Sequence, residues 1–415
     1  MTKQTPAEAV QLAVAALAEG RMIVVVDDAQ RENEGDLVVA ADTMTAEQMT
    51  FLVRHTTGIV CAAMPASLAD RLRLPQMVTD NTDAHGTAFT VSVDHVETGT
   101  GVSSHDRATT VRSLADERTL PHHLRRPGHI FPLVAREGGV LVRAGHTEAA
   151  TDLTRLAGLP GVGVISEIVD DDGTMRTGER LREFALEHGL PLLAIADLIR
   201  YRKATESLVE LVATSRMPTA FGDFRALVFR SALDGTEHLA IVKGDVAAHG
   251  HRDAGVLVRV HSECLTGDIV GSLRCDCGAQ LEQALRAIAD EGCGVVVYLR
   301  GHEGRGIGLA HKIRAYALQE VGYDTVDANL VQGLPADSRS YGVGAQILAD
   351  LGILRLRLIT NNPGKYGGLD WHGLEIVSRV AMPVAETAHN VRYLRTKQQR
   401  MGHELQLPVA DVPAH

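Results

Sequence analysis

Three of the five cysteines stand close together, one ending the run Arg259-Val-His-Ser-Glu-Cys264 and two in Cys275-Asp-Cys277. No other feature constrains the fold as much. Thiolates are soft ligands, and three at this spacing can occupy three corners of a zinc tetrahedron. A purely structural site closes with a fourth Cys or His, usually from a second paired motif. No such pair follows here. The fourth corner is therefore expected to be open to water, with His249, His251, His261 and His302 as the protein alternatives. Water on that corner becomes a nucleophile. Three thiolates make it less acidic than three imidazoles would, and Arg259 and Arg274 are candidates for offsetting their charge.

At 415 residues the chain exceeds one ordinary hydrophobic core, so two domains of about 200 residues each are expected. The odd cysteine number and its clustering fit a reducing compartment and metal binding. Cys61 and Cys293 lie in apolar stretches and read as buried small hydrophobes. A net charge of −11 argues against general nucleic-acid affinity, so an anionic substrate must be held by local basic residues. No apolar run approaches the roughly 18 residues that span a bilayer, and MTKQTPAEAV carries no signal pattern, so a cytoplasmic protein without membrane partners is expected.

In the first half, residues 7–18 have helical spacing stopped at Gly20, and Met22–Val26 reads as a buried strand. Asp27-Asp-Ala-Gln-Arg-Glu-Asn-Glu-Gly-Asp36 then packs five acids before a second apolar run, Leu37–Ala41. Carboxylates clustered between two strands, with Gly35 for tight turning, suit a hard cation such as Mg²⁺. Later, a strand-like Val140–Val142 enters Arg143-Ala-Gly-His-Thr-Glu148, with a helix expected from Glu148 to Leu156 and Thr147 as its N-cap. A glycine turn, a helix start and an arginine make a phosphate site. Glu167, an acid inside an apolar strand, reads as either edge-exposed or buried for a purpose.

Arg31-Glu-Asn-Glu-Gly-Asp-Leu37, Asn81–Thr90, His105–Thr110, Arg126-Pro-Gly-His129, Arg143–Thr147 and Ile165-Ser-Glu167 together resemble 3,4-dihydroxy-2-butanone-4-phosphate synthase over residues 5–200. The resemblance implies conversion of ribulose 5-phosphate to a four-carbon phosphate and formate. It implies Glu32 and His146 as ligands of Mg²⁺ (or Mn²⁺). Arg31, Glu32, Asp36, Arg143, Ala144, Gly145, His146, Thr147 and Glu167 line the sugar phosphate, and His129 and Glu167 serve the acid/base steps. Proton abstraction beside a carbonyl needs such a base and a cation for the enediolate.

No Gly/Ser/Pro-rich linker marks the junction near 203–205. Beyond it, Ala254–Val260 reads as a strand delivering the cysteine loop, with Gln280 near a helix start. Gly294–Leu299 reads as a strand, followed by Arg300-Gly-His-Glu-Gly-Arg-Gly-Ile-Gly308, which lacks P-loop and dinucleotide spacing, and by a helix over 309–320. Leu334–Arg339 is a loop, and Leu356–Thr360 a strand ending in Asn361-Asn-Pro-Gly-Lys365. Basic turns after strands, beside a thiolate metal site, point to a metal-assisted nucleotide hydrolase.

The motifs Arg259–Cys264, Gly271–Cys277, Arg300–Gly306 and Thr360-Asn-Asn-Pro resemble GTP cyclohydrolase II over residues 206–400. By resemblance, Cys264, Cys275 and Cys277 bind Zn²⁺, with Mg²⁺ on the GTP phosphates. Arg259, Val260, His261, Ser262, Glu263, Gln280, Glu303, Gly304, Arg305, Thr325, Thr360 and Lys365 contact GTP, and Tyr316 lies near the base. Asp337 and Arg339 match the proton acceptor and nucleophile. A guanidinium stays protonated, so an electrostatic clamp on the phosphoryl group meets the same requirement. The chain is thus expected to be α/β of the α+β type. It should have two tandem domains, 1–203 and 204–415, each a mixed sheet flanked by helices, in a homodimer or higher assembly. The tail 404–415 carries no pattern.

Overall fold

The computed structural model describes residues 5–29, 31–334, 339, 341–362, 373–384, 386–402 and 404–405. Asp337, Lys365 and most of the 404–415 tail lie outside them. The chain divides into two compact units, Met1–Thr205 and Glu206–His415.

The first unit holds β1 (Ile23–Val26), β2 (Gly35–Ala40), β3 (Cys61–Pro65), β4 (Val93–His95), β5 (Leu124–Ala135), β6 (Gly163–Glu167) and β7 (Leu192–Ala194). They form one mixed sheet in the order β4-β5-β3-β6-β2-β1-β7. Side chains alternate between the two faces of a strand, and here both faces are covered. Val24, Leu37, Val39, Ala62 and Val164 enter one core, while Ile23, Val25, Val38, Ala63 and Ile165 enter the other. That is why these strands read as continuous apolar runs. The expected first helix is Pro6–Ala18, capped by Thr5 and Glu8 in a reciprocal capping box.

The second unit repeats the architecture with a different order. Its strands are β8 (Val209–Thr219), β9 (Gly222–Ser231), β10 (Glu237–Lys243), β11 (Val256–Ser262), β12 (Gly294–Leu299), β13 (Arg355–Ile359) and β14 (Glu375–Val380). The order is β14-β13-β11-β12-β10-β9-β8. The block around β11 is parallel, which places the carboxyl ends of β11 and β12 together. Ligands of α/β sheets bind at such ends. Phe229 is fully buried in this core, so Phe229→Ala should cost about 3 to 5 kcal/mol. A lowered urea midpoint for GTP-dependent activity measures it.

Three local expectations are corrected. Val140–Val142 is not a strand: Gly139–Leu141 forms a 3-10 turn capped by Gly138, and Gly138 and Gly139 have φ of 86° and 62°. The Val140 N–H bonds the Asp152 carboxylate at 2.8 Å instead of a strand partner. Thr147 is not an N-cap, because the helix runs His146–Leu156 with Gly145 at the cap and no side-chain cap bond. In the acidic loop the left-handed turn falls on Asn33, with φ 57°, while Gly35 makes room for Leu181, whose methyl would lie 2.7 Å from an added Cβ. Cys61 is buried as expected, whereas Cys293 is only partly covered.

Candidate functional site

In the first unit, the hairpin of β1 and β2 projects the acidic loop beside the start of the helix His146–Leu156. Asp27 organises that loop. Its Oδ2 accepts from Arg31 Nη1 and from the Glu32 N–H, both at 3.0 Å, and its Oδ1 accepts from the Glu34 N–H at 2.9 Å. Ligand atoms of Asp27, Glu32 and His146 lie within 4.8 Å of one another. His146 Nε2 is 3.2 Å from the Val25 carbonyl and 3.8 Å from Asp36 Oδ1, and Nδ1 faces Glu32 Oε2 at 3.8 Å. Asp36 Oδ1 is buried and accepts no hydrogen bond from the described residues. Such a donor set, two carboxylates and an imidazole beside an orphaned carboxylate oxygen, fits a divalent cation.

The electrostatics agree. The His146 imidazole, ahead of Arg31, holds the Glu32 carboxyl down at about 2 against the cost of burial. Burial pushes Asp36 up to about 7, His146 opposing it and Glu167 adding to it. Burial also pulls His146 down, but Asp36, Glu32 and Asp27 together raise it to about 9. Carboxylates that favour a proton on this ring equally favour a cation beside it.

Glu167 is the cross-strand partner of Asp36 and accepts a hydrogen bond from Thr57 Oγ1 at 2.7 Å. Arg143 reaches from the helix start to Glu148 at 2.7 Å and Thr87 Oγ1 at 3.4 Å, over a Gly145 whose Cβ would meet its Nη1 at 2.3 Å. Ala144 and Thr147 complete that turn. His129 stands on β5 with its Nδ1 2.7 Å from Asp94, a residue the sequence reading did not single out.

In the second unit, β11 ends at Ser262, Cys264 follows two residues on at the cap of a wide turn over Leu265–Ile269 that returns the chain, and Cys277 opens the helix Cys277–Glu291. The three sulfurs converge within 4.8 Å, with Cys264 and Cys275 Sγ 3.8 Å apart. A tetrahedron with metal–sulfur bonds of about 2.3 Å has edges of roughly 3.8 Å, so the spacing fits zinc. Gly267 lies against them: an added Cβ would be 2.7 Å from Cys275 Sγ and 3.1 Å from Cys264 Sγ.

None of the alternative fourth ligands joins the group among the described residues. His261 Nε2 is 3.1 Å from the buried Asp268, which also holds Tyr298 and the Cys264 N–H. His302 Nδ1 is 3.2 Å from Ser262 Oγ, and His249 Nδ1 is 2.8 Å from its own helix's Asp245 carbonyl. His251 is exposed.

The cation that touches sulfur is one the sequence reading missed. Lys312 Nζ lies 3.1 Å from Cys264 Sγ and 2.5 Å from Glu303 Oε1. Hydrogen bonds from Cys275 and Cys277, then the Lys312 ammonium, hold the Cys264 thiol far below its ordinary range despite burial. Arg274 instead pairs with Glu320 and lies over the Tyr316 ring, while Arg259 bonds the Ile359 carbonyl and Gln280. Lys397, also missed, is buried against Asp276 at 2.8 Å. Lysines on helices usually face water, and nothing in the local pattern marked these two.

Around the cysteines lies a cleft of about 1020 Å³, open mouth included. His261, Ser262, Gly304, Arg305, Tyr316 and Thr325 line it together with Arg259, Glu263, Gln280 and Arg339. Arg339 Nη1 is 3.4 Å from Ser262 Oγ. Val260 packs in the core, and Thr360 is buried with its hydroxyl accepting from the Asn362 N–H at 3.0 Å. Glu303 is buried behind the wall, bonded to Lys312 and to the Leu265 N–H at 2.6 Å, so it frames the cysteine loop. The basic lining suits a polyphosphate despite the acidic chain.

Comparison with known proteins agrees with both halves. The 3,4-dihydroxy-2-butanone 4-phosphate synthase family profile matches residues 11–201, and the GTP cyclohydrolase II profile matches residues 210–381. Riboflavin biosynthesis protein RibBA of Salinispora arenicola is 58% identical over 398 residues, covering 96% of this chain and 94% of that protein. Its counterpart in Rhodococcus jostii is 56% identical over 401 residues, covering 96% of each. The crystal structure of RibBX, a two-domain 3,4-dihydroxy-2-butanone 4-phosphate synthase from A. baumannii, superposes with a TM-score of 0.66 at 33% identity, over 90% of this chain and 99% of that one. No helix among the described residues is long and apolar enough to cross a membrane. The chain belongs to the family of bifunctional riboflavin biosynthesis enzymes that join a 3,4-dihydroxy-2-butanone 4-phosphate synthase to a GTP cyclohydrolase II.

Proposed function

We propose that residues 1–203 convert ribulose 5-phosphate to 3,4-dihydroxy-2-butanone 4-phosphate and formate. Residues 204–415 convert GTP to 2,5-diamino-6-ribosylamino-4(3H)-pyrimidinone 5′-phosphate, formate and pyrophosphate. The observation that carries the second assignment is the convergence of three sulfurs in a basic cleft with no fourth protein ligand among the described residues. The acidic loop facing His146 supports the first.

Glu32 and His146, with Asp27 added by the geometry, would hold Mg²⁺ or Mn²⁺. Bound there, the cation would polarise the sugar carbonyl and stabilise enediolate charge. Arg143 and the helix start at Gly145 bind the phosphate, Asp36 and Glu32 orient the sugar hydroxyls, and Glu167 and His129 move protons. In the second half Cys264, Cys275 and Cys277 would hold Zn²⁺, whose chemistry is to activate water toward the purine ring. Tyr316 offers its ring to the base, and Arg305 and Arg339 clamp phosphoryl oxygens, with Mg²⁺ sharing their charge. Lys312 joins Arg259, whose buried guanidinium interacts with Cys277, in compensating the thiolate charge that Arg259 and Arg274 were expected to offset. Asp337 and Lys365 keep the roles the resemblance gives them, as proton acceptor and GTP contact. The enzyme works in the cytoplasm as a homodimer or higher assembly.

Assaying formate from each substrate separately tests the reading. Purified chain with Mg²⁺ should release formate from ribulose 5-phosphate, and formate with pyrophosphate from GTP. Release from one substrate alone would leave a single active half. GTP binding without product would make the second half a zinc-stabilised regulator.

A further inference from the structure

Asp94 on β4 and His129 on β5 are joined by two hydrogen bonds. Asp94 Oδ1 accepts from the His129 backbone N–H at 2.9 Å, and Oδ2 stands 2.7 Å from His129 Nδ1. A carboxylate oxygen accepts, so Nδ1 carries the hydrogen, and in the neutral ring Nε2 then keeps its lone pair. The acid is covered and the ring is not: the Asp94 side chain is 8% exposed and that of His129 45%. Arg125, the register partner of Asp94, directs its guanidinium to the carbonyls of Gly99 and Val96, which leaves the carboxylate to the histidine.

The surroundings are cut to fit this pair. An added Cβ on Gly101, where φ is +77°, would fall 2.0 Å from Asp94 Oδ2. One on Gly128 would fall 2.0 Å from the Val93 carbonyl carbon and 2.2 Å from the Asp94 nitrogen. Any side chain at either position would push the carboxylate or its strand away from His129.

We propose that Asp94 is the positioning residue of the ribulose 5-phosphate half, fixing His129 in the tautomer whose Nε2 accepts a proton from the sugar phosphate. The inference rests on His129 serving the acid/base steps. The proton moves from substrate to Nε2, giving an imidazolium held against the Asp94 carboxylate. Its return to product restores the Nδ1–H form, so the cycle needs no further reactant.

The test compares Asp94→Asn with His129→Gln in the full-length protein, in formate release from ribulose 5-phosphate and in the ¹⁵N signature of the His129 ring. An Asn carboxamide still accepts from the His129 N–H but presents an N–H to Nδ1, which reverses the tautomer. Asp94→Asn should lower kcat about 10²- to 10⁴-fold with little change in KM, and shift the ring to the Nε2–H form. Unchanged kcat, or a raised KM alone, would overturn the proposal. If His129→Gln is itself fully active, the assignment of His129 fails instead. Where Asp94→Asn does not fold, the unaltered protein decides: an Nε2–H ring in it sinks the idea.

Discussion

Cys275→Ser should abolish the release of formate and pyrophosphate from GTP and leave the conversion of ribulose 5-phosphate at its unaltered rate. A serine hydroxyl stays protonated where a thiolate would be, and oxygen is a poor ligand for a soft site. The loss is large because the geometry has no slack. Three sulfurs span the site, their spacing already matches the edge of a zinc tetrahedron, and Gly267 and Gly278 leave no room to rearrange. The purified variant should contain less than stoichiometric zinc, and its GTP turnover should fall at least about 10³-fold, the order expected when an activated water is lost. Each unit has its own hydrophobic core, so the first reaction provides the internal control. Loss of both activities would argue that the sites are not separate.

Glu32→Gln should do the reverse, lowering formate release from ribulose 5-phosphate about 10²- to 10⁴-fold while the GTP reaction persists. Gln keeps the shape but not the charge. Glu32 is held at about 2, so it is ionised across the working pH range, and no adjustment of pH restores the missing charge. The neutral amide would also present an N–H₂ to Arg31 and His146, two groups the carboxylate now serves. Weaker Mn²⁺ binding, read by titration, should accompany the loss, and raised Mg²⁺ should recover only part of the rate. Full recovery at high Mg²⁺ would reduce Glu32 to an affinity role.

Much of this was legible in the residues. Strands β1, β2, β11 and β12 were visible because a sheet covered on both faces requires unbroken apolar runs, and Val295, Val296 and Val297 are all fully buried. The Cys264 to Cys277 spacing announced a metal site because few other arrangements use three clustered thiols. Thr147 misled because a threonine before a helical run is a good cap by composition, while the backbone turn had already been made at Gly145. Val140–Val142 misled because three apolar residues say nothing about whether a strand partner is present.

The sequence by itself determined the two halves and the cysteine, carboxylate and glycine-turn clusters each carries, because soft thiolates, clustered carboxylates and glycine turns are properties of residues and short spacings. Only the tertiary structure decided which charges meet. Lys312 reaches Cys264 across 48 positions, Lys397 reaches Asp276 across 121, and Asp94 meets His129 across 35. Such pairs depend on strand order and register, which bring distant positions within hydrogen-bond range, and no local pattern encodes the direction in which a buried ammonium or carboxylate will point.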